Sequence, residues 1–222
     1  PRAMDQRPSF ERWLGSAVAL VKKHAALQLL TIGSEGATPW AGYVGSSWPA
    51  DHGVKGIDFA TLHIWPFNWG WFKAGDDLDK AVSESLKYLR KHVDWARELQ
   101  MPLVLEEFGF PRDGGSCVES AATSKRDAYY AAMFEAVRAS AEQGGPLVGA
   151  MFWGWGGEGR PREKRDACSA GGAKAFFEQG DDLLSDPPHE TQGWYSVYDA
   201  DLSTKVVLRA FAESLATYVP GG

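Results

Sequence analysis

Hydrophobic positions along the chain alternate between two rhythms. From Ser9 to Gln28, Trp13, Ala17, Leu20, Val21 and Leu27 recur near every 3.6 residues, which predicts a helix capped by Ser9 with Glu11 and Arg12 in its first turn. Leu29-Leu30-Thr31-Ile32-Gly33 follows, a short apolar run closed by glycine that reads as a buried strand. Residues 34–57, rich in Gly, Trp and Pro, read as a long loop. A second strand is predicted over Phe59 to Trp65, then a helix from Asp76 or Asp77 to about Gln100. Leu78, Val82, Leu86, Leu89, Val93 and Ala96 share one face of that helix. Pro102 to Glu107 is a third strand, and Ser124-x-x-Asp127 resembles a capping box opening a helix through Tyr130, Met133, Phe134 and Val137. Leu147 to Trp153 is a fourth strand. An irregular, charge-rich stretch from Gly154 to about Gln192 separates it from a last helix over Ser203 to Tyr218.

Strands starting near 29, 59, 102 and 147 with helices between them predict an α/β chain of right-handed crossovers on a parallel sheet. A doubly wound nucleotide fold competes, but neither G-x-G-x-x-G nor G-x-x-x-x-G-K-[ST] is present. The 222 residues suit one large or two small domains. No apolar run approaches the ~18–20 residues of a membrane span, so no membrane partner is expected. Charge is −6, from 23 basic against 29 acidic residues, with no basic block, so no nucleic-acid partner is expected either. Composition changes the picture at one point: ten Trp against seven Tyr is more indole than a small soluble domain needs for packing.

Polar and aromatic residues gather at the C-terminal ends of the predicted strands. Glu35 follows the first, His63 and Trp65 end the second, Glu106-Glu107 end the third and Trp153 ends the fourth. In α/β barrels that face carries the active site. A carboxylate closing an otherwise apolar strand, as Glu107 does, is costly to bury unless paired. Alternation sends Glu106 and Glu107 to opposite sides, so only one is expected to face the barrel axis. His63 and Trp65 share a face by the same rule. Trp69 and Trp71 follow in a Gly-containing loop, and Trp153 and Trp155 repeat the arrangement around Gly154. Aromatic planes with carboxylates suit sugars, whose rings have apolar C–H faces and hydroxyl edges.

Other chemistries find little support. There is no G-x-S-x-G elbow, no H-E-x-x-H and no clustered His/Cys set, so no metal or organic cofactor is implied. Asp181-Asp182 with Asp186 and His189 reads as a solvated acidic loop rather than a cation site. Cys117 and Cys168 both lie in loops after consecutive strands, which leaves a disulfide and two free thiols open.

The stretches His63-Ile64-Trp65-Pro66-Phe67-Asn68-Trp69-Gly70-Trp71, Leu105-Glu106-Glu107-Phe108-Gly109 and Phe152-Trp153-Gly154-Trp155-Gly156-Gly157 resemble glycoside hydrolase family 5, and within it the β-mannanase branch. Gly33-Ser34-Glu35-Gly36 and Gln192-Gly193-Trp194-Tyr195-Ser196-Val197-Tyr198-Asp199 fit the same branch. The resemblance implies a (β/α)8 TIM barrel and a retaining, double-displacement hydrolysis of β-mannan. It implies Glu107 as nucleophile, His63 as a supporting hydrogen-bond residue and Trp153 as the floor of the sugar subsite beside the scissile bond. Trp65, Trp69, Trp71, Trp155 and Glu35 are implied as further substrate-binding residues. The family often has Tyr where Trp65 stands, so a nucleophile-orienting hydroxyl is expected from elsewhere.

The family's acid/base Glu ends the fourth strand, and this sequence opens with Pro1-Arg2, which is neither an initiator nor a secretory leader. Residues 1–222 are therefore expected to be the C-terminal half of the catalytic domain, strands five to eight with their helices. A complementary N-terminal half-barrel would be the partner, and location would be secreted or periplasmic. Alone, the half-barrel is expected to expose unpaired sheet edges and to be marginal or self-associating. An endo-β-1,4-glucanase of the same family and a non-catalytic carbohydrate-binding half-barrel are the alternatives.

Overall fold

A computed structural model describes residues 6–41, 45–73, 75, 77–160, 179, 185–186 and 190–216. Its elements run α1 (Arg7–His24), α2 (Trp48–His52), β1 (Ala60–Ile64), α3 (Leu78–Glu98), β2 (Leu103–Phe108), a 3-10 turn at Asp113–Gly115, α4 (Ser124–Glu142), β3 (Leu147–Phe152), β4 (Trp155–Gly157), β5 (Val197–Tyr198) and α5 (Leu202–Ala216). The strands form parallel sheets, β1-β2-β3 in sequence order and a separate β4-β5 pair. Parallel neighbours joined through α3 and α4 make this an α/β chain, as the spacing predicts.

The chain divides into two compact units. The first comprises the chain up to Ile64 with Lys87–Glu106 and Ser140–Met151. Its sheet is aligned at the strand starts, where Ala60 N–H donates to Pro102 O (2.8 Å) and Leu103 N–H to Pro146 O (2.7 Å). Leu62, Ile64, Leu103, Leu105 and Leu147 are buried, whereas Val148 and Met151 on the edge strand β3 are exposed.

Helix α1 starts two residues before the expected Ser9, with Pro8 in its first turn, where a missing N–H costs nothing. Ser9 is not its cap; its hydroxyl accepts from Arg12. The buried stripe also differs from the expected one. Leu14 and Val18, four residues apart, pack on Ile57 with Phe10, Leu30, Ile32, Val54 and Met101 around them. Trp13 (62% exposed), Leu20 and Val21 face out and Leu27 lies beyond the helix, because α1 carries two apolar phases and the Phe10-Leu14-Val18 row wins.

Leu29–Gly33 is not a strand. Backbone bonds join the approach to β1 at Asp58 N–H to Leu30 O (2.8 Å) and at His63 N–H to Glu35 O (3.0 Å), five residues apart on each side. At Leu30 the Asp58 side chain takes the other backbone group, accepting from Leu30 N–H (2.7 Å) and from Lys22. The loop expected over 34–57 contains α2, which buries Trp48.

The second unit comprises Trp65–Leu86, Glu107–Ala139 and the chain from Phe152 onward. Phe108 and Phe110 bury against Tyr129 and Tyr130 of α4, and Phe134 stacks flat on Phe211 of α5 at 4.0 Å. Thr123, one residue before the expected cap, bonds Asp127 through its hydroxyl (3.1 Å) while its carbonyl accepts Asp127 N–H. Asp201 clamps two fully buried arginines. Arg112 meets it bidentately at 2.8 and 2.7 Å, and Arg126 at 3.2 Å. Arg126 also donates to Phe110 O and Ser196 O, so one carboxylate gathers three segments. Cys117 is disulfide-bonded. Its counterpart in the sequence, Cys168, lies outside the described residues, as do Asp181, Asp182, His189 and Tyr218.

Candidate functional site

In the first unit, β1 presents His63 to the neighbouring strand, and its Nε2 lies 3.3 Å from Glu106 Oε2. Glu106, which alternation sends to the side opposite the implied nucleophile, is thus within bonding distance of the histidine. Along β2, Leu103 and Leu105 are buried, Glu106 and Glu107 are both half-buried, and Phe108 is buried again. The two-residue period loses phase at the Glu pair, so strict alternation does not sort the two carboxylates. Glu35 is exposed at its side chain and held at its backbone. Its carbonyl accepts from His63 N–H (3.0 Å) and from the Tyr88 hydroxyl (2.9 Å). Glu35, His63 and Glu106 are therefore brought together by one strand end and the extended segment beside it.

In the second unit, Glu107 is the penultimate residue of β2, followed by buried Phe108 and by Gly109. Gly109 admits a close approach: a Cβ there would lie 2.4 Å from Trp65 Cζ3 and 3.1 Å from Tyr195 Cδ1. Trp65 is flanked edge-on by Trp153 (centroids 6.3 Å) and Tyr195 (4.9 Å). Trp153 is fixed at both ends of its backbone, its N–H donating to Phe108 O (2.7 Å) and its carbonyl accepting from the Tyr130 hydroxyl (3.1 Å). Trp69 and Trp71 form a second edge-on pair at 4.9 Å, and Trp155 stands separately, more than half exposed. Among the described residues, the aromatic residues singled out in the sequence thus include the pairs Trp65–Trp153 and Trp69–Trp71.

Further residues support these rings and the loops around them. Tyr195 places its hydroxyl on the Asn68 side chain, and Asn68 donates to Glu190 (3.3 Å). Burial pushes the Tyr195 phenol well above its ordinary range, so it is a neutral donor. Asp186 accepts from Gly193 N–H (2.8 Å), Tyr195 N–H (2.9 Å) and Ser196 Oγ; its burial raises its pKa in spite of these bonds. Asp186, expected in a solvated acidic loop, is instead buried and anchors the loop through these bonds. Among the described residues no group of three or more His, Cys, Asp or Glu is placed to hold a metal ion. The first unit thus carries a carboxylate and an imidazole at its strand ends, and the second a carboxylate followed by indoles.

Comparison with known proteins bears on this set. Mannan endo-1,4-beta-mannosidase 3 of Oryza sativa subsp. japonica is 33% identical over 157 residues, covering 64% of this chain and 32% of that protein. Mannan endo-1,4-beta-mannosidase 3 of Arabidopsis thaliana is 31% identical over 168 residues, covering 68% and 38%. The crystal structure of a glycoside hydrolase family 5 mannosidase from Rhizomucor miehei superposes with a TM-score of 0.76 at 29% identity, over 93% of this chain and 48% of that one. An endo-beta-1,4-mannanase from Thermotoga petrophila, at 20% identity and a TM-score of 0.65, shares the fold over 100% of this chain and 44% of its own. The chain spans about a third of the plant relatives' length and about half of the fungal enzyme's. A family model described as GH family 5 beta-mannosidase-like matches residues 1–218, and the chain belongs to that family.

Proposed function

We propose that the protein is a retaining endo-β-1,4-mannanase, with this chain contributing the C-terminal half of a (β/α)8 catalytic barrel. The observation that carries the reading is the family match over residues 1–218 on a chain that covers only 48% of the fungal structure. Three sheet strands with an exposed, apolar edge at Val148 and Met151 accord with a barrel continued by another polypeptide segment. On this reading β1, β2 and β3 are strands six, seven and eight, and the complementary N-terminal half covers the open edge.

The Glu107 carboxylate attacks the anomeric carbon while a second carboxyl group, ~5–5.5 Å away, protonates the departing oxygen. The same second group then deprotonates the water that releases the sugar. That acid/base residue belongs to the complementary half. Trp153, braced at N–H and carbonyl, floors the subsite beside the scissile bond, and Trp65, Trp69, Trp71 and Trp155 extend the cleft. His63 and Glu35 supply hydrogen bonds at its rim. A disulfide at Cys117 favours a secreted or periplasmic location.

Glu107→Gln tests the reading in the assembled enzyme, assayed on mannan and on cellulose. Mannan hydrolysis should fall by at least about 10³-fold, with binding of mannan oligosaccharides retained. Full activity in the variant would remove Glu107 from the mechanism and favour a carbohydrate-binding role for this half. Faster hydrolysis of cellulose than of mannan by the unaltered enzyme would favour the glucanase reading.

A further inference from the structure

The first unit holds a buried aromatic and imidazole cluster that the mechanism above does not use. Trp48 of α2 lies 4.3 Å from the His52 ring and 5.1 Å from the His92 ring, with Trp95 stacked at 5.8 Å. Both histidines are fully buried, and each is tied in the same way. His92 Nδ1 sits 2.8 Å from Tyr88 O and its Nε2 accepts from Ala37 N–H at 2.9 Å. His52 Nδ1 sits 3.0 Å from Trp48 O and its Nε2 accepts from Thr61 N–H at 3.2 Å. A carbonyl on one nitrogen and an amide N–H on the other define the neutral tautomer with the proton on Nδ1.

His92 and Tyr88 are one helical turn apart on α3 and reach the same three residues. Tyr88 donates to Glu35 O and His92 accepts from Ala37 N–H, on either side of Gly36. Gly36 has φ 106, and a Cβ there would meet Tyr88 Oη at 2.2 Å and His92 Nε2 at 2.8 Å. The helix therefore presses on the backbone at a residue that admits no side chain. The hydroxyl and imidazole bonds stand in for a ladder, since Leu29–Gly33 makes none. The Glu35 side chain is the exposed part of this segment, and everything behind it is bonded.

We propose that Tyr88 and His92 are positioning residues for Glu35: they set the backbone of Glu35-Gly36-Ala37 so that the Glu35 carboxylate stands ready at the substrate. The inference rests on the reading of Glu35 as a substrate-binding residue, and deepens it. Tyr88→Phe removes the hydrogen bond to Glu35 O and keeps the ring, so the fold is kept. It should raise KM for mannan oligosaccharides about fivefold in the assembled enzyme, the scale of one lost hydrogen bond, with kcat within about twofold. In a Glu35→Gln background the same change should have almost no effect on KM, because the group being positioned is gone. An equal fold-change in both backgrounds, or none in either, overturns the proposal.

Amide hydrogen exchange supplies a second measurement that is independent of turnover. His92→Leu should lower protection of Ala37 N–H about tenfold, and His92→Gln, which keeps an acceptor, should restore much of it. Unchanged protection in the leucine variant overturns the brace whatever the enzyme does. An unaltered assembled enzyme that leaves mannan intact refutes the proposed activity instead, and the exchange measurement still decides the brace.

Discussion

Acidification is expected to unlock the first unit through His92 before it touches the surface carboxylates. The ring is buried, and desolvation, ahead of the neighbouring Lys91 and His52 charges, lowers its pKa from 6.5 to about 4. The unfolded chain therefore takes up a proton near pH 6.5 while the folded chain refuses it until about pH 4. Stability tied to this group is complete above pH 6.5 and is lost as pH falls through that window. At ~1.4 kcal/mol per pH unit the loss totals about 3 kcal/mol, a large share of a typical domain's stability. His52, also lowered by burial, acts in the same direction. Asp58 and Asp199, lowered by their bonds to Lys22 and Arg160, lose stability only below the ordinary carboxylate value of 3.8, so the two windows separate. Urea melts of the protein and of His92→Gln between pH 7 and 4.5 measure the effect. The unaltered protein should lose about 1.4 kcal/mol per pH unit more than the variant. Identical slopes would show that His92 does not titrate on unfolding, and the argument from its burial would fail.

Two further outcomes follow from the second unit. Asp201→Asn should cost about 3–5 kcal/mol, read as a lowered Tm, because Arg112 and Arg126 are left buried without a countercharge. Gly109→Ala forces Trp65 off its place beside Tyr195; it should cost about 1–3 kcal/mol and reduce mannan hydrolysis even at temperatures where the variant is fully folded.

Elements whose residues obey one period were legible in the sequence. β1, β2 and β3 were found within about two residues by their apolar runs, and α3 by its long repeat. Its buried residues are Ala81, Ser85, Tyr88, Leu89, His92 and Ala96; Leu89 and Ala96 belong to the expected face, whereas Leu78, Val82, Leu86 and Val93 are half-buried. Failures came where a side chain replaces a backbone bond. The Asp58 side chain takes the Leu30 N–H that a strand partner would otherwise take, and the apolar pentapeptide is not a strand. Trp13 looked like core because α1 has two apolar phases, and only the position of Ile57 decides between them. At the site, Glu35, His63, Glu107, Trp65 and Trp153 stood out through their place at strand ends. Tyr88 and His92 did not, since each acts on a backbone atom remote in sequence, and Tyr195 was legible only as part of the Gln192–Asp199 motif. The four-residue spacing of Tyr88 and His92 on a buried helix face was the available clue.

The clamp at Asp201 also sets a timetable. Arg126 and Arg112 precede that aspartate by 75 and 89 residues, so both cations leave the ribosome well before their shared counter-ion exists. At ~5–20 residues per second the wait is roughly 4–18 s. Throughout that interval the two guanidinium groups must stay hydrated, and the stretch following Glu107 cannot close. Closure of the neighbourhood of the proposed nucleophile is thus expected to wait on Asp201 during synthesis.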